Sequence, residues 1–97
     1  MKLRFTPRAT ANLIEIADNI HAHNPAAAKR VRADIYTGLQ NLVLFPRAGR
    51  RQKVEGVRRL VTRRFRYLIY YTINETAEEI VVLNIKDPVR RREHQNV

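Results

Sequence analysis

The sequence has 97 residues, of which 44% are hydrophobic and 29% charged, values that are ordinary for one globular domain with a modest core. There is no cysteine, so disulfide bonds and thiolate metal sites are excluded. The first five residues lack the apolar core of a signal peptide, and no apolar run reaches the roughly 18 residues that a transmembrane helix needs. We therefore expect a cytoplasmic protein without membrane contact.

Positive charge is concentrated in the second half of the chain. There are 19 basic and 9 acidic residues, a formal net charge of +10, and arginine is the dominant base. The arginine guanidinium is planar and binds phosphates and carboxylates in a bidentate manner. Residues 47–66 hold nine bases and one acid, Glu55. This density predicts a polyanionic partner, either nucleic acid or an acidic protein segment, and a merely solvated face is the alternative.

A strand and two amphipathic helices are predicted in the first half of the chain. Lys2–Phe5 alternates polar and apolar residues, as a half-buried strand does. Thr6-Pro7 and Asn24-Pro25 each combine a helix N-cap with a proline suited to the first helical position. The first helix should end near residues 21–23, and Pro46 should stop the second. Because so few residues join them, the helices must form an antiparallel hairpin.

Three strands are predicted in the second half. From Val57 the apolar spacing changes from helical to alternating, and Arg66–Ile73 is rich in β-branched and aromatic residues. Ile80–Ile85 is apolar on both faces, which is typical of a central strand. The sequence therefore predicts an α+β fold of order β-α-α-β-β-β, a single small domain with an antiparallel sheet and the helical hairpin on one face. Asp87-Pro88 should end the sheet, since proline has no amide hydrogen, which leaves residues 88–97 as a basic C-terminal tail.

The second face of the predicted sheet has no cover from this chain. An apolar surface rimmed by arginines is typical of a protein interface. The residues predicted to point there are Leu68, Tyr70, Val82 and Leu60. Tyr67 and Tyr71 share one face of their strand, and they either stack on nucleic-acid bases or, the favoured interpretation, form an aromatic core under the helices.

Several segments resemble, in their order and spacing, the RelE/ParE family of bacterial toxins. They are Thr6-Pro7-Arg8-Ala9, Leu13 with Glu15-Ile16 and Ile20, Asn24–Ala28, Phe45–Arg50, Gly56–Leu60, Tyr67–Tyr71, Val82–Ile85 and the Arg90-Arg91 tail. The resemblance covers nearly the whole chain and implies a compact toxin, neutralised in a hetero-oligomer by a cognate antitoxin. It implies contact with operator DNA only through that antitoxin, and no metal or cofactor.

The resemblance also implies one of two activities. ParE-like members poison DNA gyrase, whereas RelE-like members cleave messenger RNA in the ribosomal A site. In RelE-like nucleases an arginine typically precedes the Leu-Val-Tyr core of the middle strand, where this sequence has Tyr67, and a tyrosine stands near the end, where this sequence has none. These departures favour the ParE-like branch and a gyrase inhibitor. A plain nucleic-acid-binding domain ranks third, because the arginines lie on loops and strands rather than on a helical face.

Other enzyme classes find little support. The chain has no serine or cysteine nucleophile, no glycine-rich phosphate-binding motif, and no histidine–carboxylate cluster at metal-binding spacing.

The candidate site residues fall into three sets. No catalytic residue is assigned, but a nuclease would draw its acid, base and cations from Lys53, Glu55, Arg58, Arg59 and His94. The displayed tail would bind the target through Arg90, Arg91 and Arg92. The antitoxin would bind Arg47, Arg50, Arg58, Arg63, Leu68 and Tyr70.

Overall fold

The computed structural model describes residues 1–88, which form two helices and five strands. In chain order these are β1 (Lys2–Phe5), α1 (Pro7–His23), α2 (Pro25–Leu44), β2 (Arg50–Arg51), β3 (Val57–Val61), β4 (Leu68–Asn74) and β5 (Glu79–Lys86). The predicted element order is confirmed. The short strand β2 is an additional element, which the spacing of apolar residues did not predict.

Both helices begin where their caps place them. The Thr6 hydroxyl accepts a hydrogen bond from the Ala9 amide at 3.1 Å, and the Asn24 side chain accepts one from the Ala27 amide at 3.1 Å. Asn24 also ends α1, since its own amide donates to the Ile20 carbonyl at 2.7 Å. One residue thus closes the first helix and opens the second, so the turn of the hairpin consists of Asn24 alone.

The sheet has the strand order β1-β5-β4-β3-β2. Strands β2 to β5 form the predicted antiparallel meander, whereas β1 pairs with β5 in parallel. The sheet is mixed because the helical hairpin carries the chain from β1 across to the opposite edge, the kind of long connection that a parallel pair requires. The register of β4 and β5 shifts between Tyr70 and Tyr71, which pair with Asn84 and Val82 and leave Leu83 as an extra residue.

The core lies between the helical hairpin and one face of the sheet. Its buried members are Ala9, Val31, Ile35, Leu39, Leu42, Tyr67, Ile69, Tyr71, Ile80, Val82 and Ile85. The interpretation of Tyr67 and Tyr71 as aromatic core is confirmed, since the two residues are 5% and 0% exposed.

The prediction that Val82 and Leu60 point to the uncovered face is wrong. Val82 is fully buried in the core, and Leu60 packs against the same cluster. Leu60 pairs with Ile69 and therefore shares its face, while the bulge beside Val82 resets the alternation of β5. Leu68 and Tyr70 do lie on the face away from the helices, as their alternation with Ile69 and Tyr71 requires.

No helix within residues 1–88 is long and apolar enough to cross a membrane.

Candidate functional site

The arginine-rich segment builds one edge of the sheet. Across the β2–β3 ladder Arg50 pairs with Arg59, and Arg51 pairs with Arg58. Like charges directly opposite each other destabilise a strand pair, so this edge is not optimised for stability alone. Since successive residues of a strand point to opposite faces, the segment presents arginines on both faces of the sheet.

Arg58 lies on the helix side of β3 and holds the loop that precedes β2. Its Nη1 atom donates hydrogen bonds to the Gly49 carbonyl at 2.8 Å and to the Arg47 carbonyl at 3.1 Å. Arg58 is partly buried, and its cross-strand neighbour on β4 is the buried Tyr71. Arg58 therefore has a structural role in this loop.

Tyr71 holds the same loop from the side of the core. Its hydroxyl donates to the Pro46 carbonyl at 2.7 Å and accepts from the Gly49 amide at 2.9 Å. Burial raises the pKa of Tyr71 above 10.0, while the Gly49 hydrogen bond and the charge of Arg58 act in the opposite direction. Hydrogen bonds therefore hold the loop from residue 46 to residue 49 against the core. The backbone positions of Arg47 and Arg50 are fixed by these contacts.

The face of the sheet opposite the helices carries a second group of polar residues around Tyr70. Arg59 and Asn84 are the cross-strand neighbours of Tyr70 on either side. The Nζ atom of Lys86 lies 5.3 Å from the centre of the Tyr70 ring, a cation–π contact. Within residues 1–88, Arg59 Nε and Asn84 Oδ1 are buried without a hydrogen-bond partner. Such groups are costly unless a ligand or water satisfies them.

The remaining sequence-predicted residues are dispersed. Lys53 and Glu55 are exposed in the β2–β3 turn, and Arg63 is exposed in the β3–β4 connection. Arg47 is exposed and forms an ion pair with Glu75 at the β4–β5 turn. The structure therefore brings Arg50, Arg59 and Tyr70 together and leaves Lys53 and Glu55 at a hairpin tip.

Four predicted site residues lie outside the described residues. They are Arg90, Arg91 and Arg92 of the target-binding set and His94 of the nuclease set, and their roles stay predictions. The last strand ends at Lys86, directly before Asp87-Pro88.

Asp34 is a site residue that the sequence analysis missed. It is 7% exposed on α2, and its carboxylate accepts the amide hydrogens of Arg64 at 3.1 Å and Phe65 at 2.9 Å. Burial alone would raise the pKa of Asp34, but hydrogen bonds from Thr62, Phe65 and Arg64 lower it below 3.8. An acidic residue within the apolar stripe of a helix was the available signal.

Asp34 also influences Tyr67 in the adjoining core. Burial, together with the negative charges of Asp87 and Asp34, raises the pKa of Tyr67 to about 12. Tyr67 is therefore neutral at physiological pH and enclosed by protein, so it has no direct access to a ligand.

A second surface feature is an apolar groove between the two helices. It has a volume of about 390 Å³ and is lined chiefly by Leu13, Ile16, Ile20, Val31 and Ile35. Ile14 and Tyr36 stand at its rim and are 57% and 62% exposed. An exposed apolar surface of this kind, on a helix pair, fits the apolar face of another helix.

Among the described residues there is no group of three or more histidine, aspartate or glutamate side chains arranged to hold a metal ion.

Comparison with known proteins shows the family. Residues 3–90 match the model of the ParE toxin of the type II toxin–antitoxin system parDE. "Putative toxin Y4kP" of Sinorhizobium fredii (strain NBRC 101917 / NGR234) is 35% identical over 83 residues, which are 86% of each chain. The chain belongs to the ParE toxin family of type II toxin–antitoxin systems.

Solved structures support the same fold. A chain of the chromosomal ParDE system from P. aeruginosa superposes with a TM-score of 0.76 at 30% identity, covering 90% of this chain and 95% of that one. A chain of the E. coli RelBE toxin–antitoxin complex superposes with a TM-score of 0.62 at 14% identity, covering 89% and 94%, which is a likeness of fold alone. The fold described above is thus similar to that of both solved structures.

Proposed function

We propose that this toxin inhibits growth by poisoning DNA gyrase and is neutralised by a cognate antitoxin. The observation that carries the proposal is the state of Tyr67, the residue at the position where RelE-like nucleases carry an arginine. Tyr67 is 5% exposed and its pKa is raised to about 12, so it supplies neither a cation nor an accessible acid–base group. The match to the ParE toxin model supports the same branch.

The distribution of the other candidate groups agrees with an inhibitor. A metal-free nuclease needs a base, an acid and cations around one phosphate. Here Arg58 is engaged with the loop carbonyls, while Lys53 and Glu55 are exposed at the hairpin tip. Poisoning a large enzyme requires a binding surface rather than a catalytic group of acid, base and cations. The arginine-rich edge of the sheet supplies such a surface.

The second candidate is a ribosome-dependent endoribonuclease. The group of Arg59, Tyr70 and Lys86 on the open face favours it, because two cations beside an aromatic ring suit an RNA phosphate and a stacked base. Of the described residues, those that form this group include no histidine or carboxylate to serve as the general base, so we rank it second.

For the antitoxin we propose two contact areas. The apolar groove between α1 and α2 would take an amphipathic helix, with Ile14 and Tyr36 as anchors. The exposed basic positions Arg47, Arg50 and Arg63, together with Tyr70, would take acidic and apolar residues of the same partner. Arg58, held by the loop carbonyls, and Leu68, only 4% exposed, would support this area from within the fold. The solved structures that this chain resembles belong to toxin–antitoxin systems, which supports an antitoxin as the partner.

Induction of the toxin without its antitoxin tests the proposal in cells. Pulse labelling of DNA and of protein after induction should show DNA synthesis falling first, with translation following later. If translation stops first while DNA synthesis continues, the nuclease alternative replaces the gyrase proposal. The uninduced strain, labelled in parallel, is the control for effects of growth conditions.

A further inference from the structure

A row of polar side chains crosses the face of the sheet opposite the helices. Its members, one from each of β2, β3, β4 and β5, are Arg50, Arg59, Tyr70 and Asn84. Residues paired across a ladder point to the same face of the sheet, so these side chains lie next to one another. Lys86 joins them, since its Nζ atom lies 5.3 Å from the centre of the Tyr70 ring. We call these five residues the open-face row.

The open-face row carries three positive charges and no negative charge. Arg50 and Arg59 are direct cross-strand neighbours, a relationship that places the Cβ atoms about 4.5–5.5 Å apart. Like charges at this spacing repel each other. Both ion pairs found within residues 1–88 lie elsewhere on the molecule. An anion bound from outside would therefore relieve the repulsion between these cations.

Two buried atoms of the row define which hydrogen bonds a ligand must make. Within residues 1–88, Arg59 Nε is a buried donor and Asn84 Oδ1 is a buried acceptor, and neither atom has a hydrogen-bond partner. Buried polar groups left unpaired in this way cost free energy. A ligand that fits the row must therefore offer an acceptor to Arg59 and a donor to Asn84.

These requirements distinguish between kinds of anion. A carboxylate has one charge and only accepts hydrogen bonds at neutral pH, so it leaves Asn84 without a donor. A phosphomonoester carries a charge of about −1.5 to −2 and three acceptor oxygens, which suits a pair of arginines and a lysine. In a nucleotide the hydroxyl groups of the sugar and the amino group of the base are hydrogen-bond donors beside the phosphate. A nucleotide therefore meets both requirements.

We propose that the open-face row binds a nucleoside monophosphate, either free or at the end of a nucleic-acid strand. The phosphate lies against Arg50, Arg59 and Lys86, and the sugar or the base donates a hydrogen bond to Asn84. The row is a binding site and not a catalytic centre, since its five residues include no histidine or carboxylate that could act as a general base. The proposal goes beyond the inhibition of gyrase and does not depend on it.

Titration of the full-length toxin with adenosine 5′-monophosphate tests the proposal. Calorimetry at about 0.15 M salt, where charges far apart are screened, measures the Kd, and backbone amide NMR locates the site. We expect shift changes at Arg59, Tyr70 and Asn84. Methyl phosphate has the same charged group without sugar or base, so it should bind about tenfold more weakly because the buried acceptor stays unpaired. Adenosine, which has no phosphate, should not bind.

Two variants with the same charge change separate the row from general attraction to a basic protein. Arg59→Gln should weaken binding of adenosine 5′-monophosphate at least about tenfold, because a charge-assisted hydrogen bond to the phosphate is lost. Arg51→Gln, on the same ladder but on the opposite face, should bind as the parent does. Circular dichroism verifies that both variants are folded. If Arg59→Gln does not fold, Lys86→Gln at an exposed position provides the same test.

Two oligonucleotides of one sequence, with and without a 5′-phosphate, identify the source of the nucleotide. Shift changes along the row with the phosphorylated strand alone assign the site to the end of a strand. Shift changes with adenosine 5′-monophosphate and with neither strand assign it to a free nucleotide. Equal shift changes with both strands would overturn the proposal, because the phosphodiester backbone would then be sufficient.

Three further results would contradict the proposal. They are the absence of binding by adenosine 5′-monophosphate, an equal loss of binding in Arg51→Gln and Arg59→Gln, and shift changes confined to residues outside the row. None of these measurements involves gyrase or growth, so the proposed activity is tested separately by its own assay.

Discussion

The amide of Gly49 donates a hydrogen bond of 2.9 Å to the hydroxyl of Tyr71, and a Cβ atom placed on Gly49 would lie only 2.5 Å from that oxygen. The loop that carries Arg47 and Arg50 is thus closed directly onto a fully buried tyrosine. Glycine is required here by the close approach of backbone to ring. The first prediction concerns this contact.

Gly49→Ala should reduce the free energy of unfolding by about 1–3 kcal/mol, because either the loop or the Tyr71 ring must move. Gly38→Ala is the matched control, since its Cβ would meet its nearest neighbours at 3.4 Å and alanine favours the helix. Urea denaturation of both variants measures the difference. A Gly49 variant as stable as the Gly38 variant would show that the loop accommodates the added methyl group with no loss of unfolding free energy.

The second prediction concerns the carboxylate of Asp34. Asp34→Asn should destabilise the fold at neutral pH by about 1–3 kcal/mol, since the amides of Arg64 and Phe65 lose a charged acceptor. The folded pKa lies below 3.8, so the contribution is complete above that pH and is lost as pH falls through the folded value. Unfolding free energies of parent and variant should therefore converge in acid. Asp18→Asn, at an exposed position, should differ from the parent by no more than about 0.5 kcal/mol.

A third prediction follows from the raised pKa of Tyr67. Its hydroxyl stays protonated in the folded protein up to about pH 12, whereas in the unfolded chain it ionises near 10.0. The folded state binds the proton more tightly, so this contribution to stability is complete below pH 10.0 and is lost as pH rises toward 12. Tyr67→Phe should lose less stability over this range than the parent in parallel denaturation curves. Identical alkaline losses would show that Tyr67 ionises as freely as in the unfolded chain.

The fourth prediction concerns the basic tail beyond the described residues. Alanine at Arg90, Arg91 and Arg92 together should leave stability nearly unchanged, because the sequence predicts a displayed tail and substitutions at exposed positions shift stability by no more than about 0.5 kcal/mol each. Growth inhibition should fall sharply, because these cations are assigned to the target. Alanine at Lys29, Arg30 and Arg32, exposed positions on α2, removes the same charge and should preserve toxicity. If the tail variant is as toxic as the α2 variant and the parent, the tail does not contribute to target binding.

Local signals in the sequence were sufficient for the helices and for the order of the elements along the chain, apart from the short strand β2. Asn24-Pro25 specifies the turn between the helices because a cap side chain and a fixed proline backbone act within one turn of the chain. The faces of the strands were harder to predict. Ile80–Ile85 is apolar on both faces except at Asn84, so its sequence shows no alternation between a buried and an exposed face. The bulge between Tyr70 and Tyr71 depends on pairing across the sheet.

The site was predicted in composition and not in geometry. The density of arginines identified the segment that forms the β2–β3 edge, whereas the opposite orientations of Arg58 and Arg59 follow from the pairing of β3 with β4. The contact of Asp34 with the β3–β4 connection spans 30 residues along the chain and has no local pattern. Long-range contacts of this kind become visible only once the fold is known.

The most direct test of the gyrase proposal is a supercoiling assay with purified gyrase and purified toxin, run beside programmed ribosomes as the alternative target. We expect the toxin to block supercoiling and to leave the messenger RNA on the ribosomes intact. Normal supercoiling together with A-site cleavage that is lost on Arg59→Ala, in a variant shown to be folded, would contradict it.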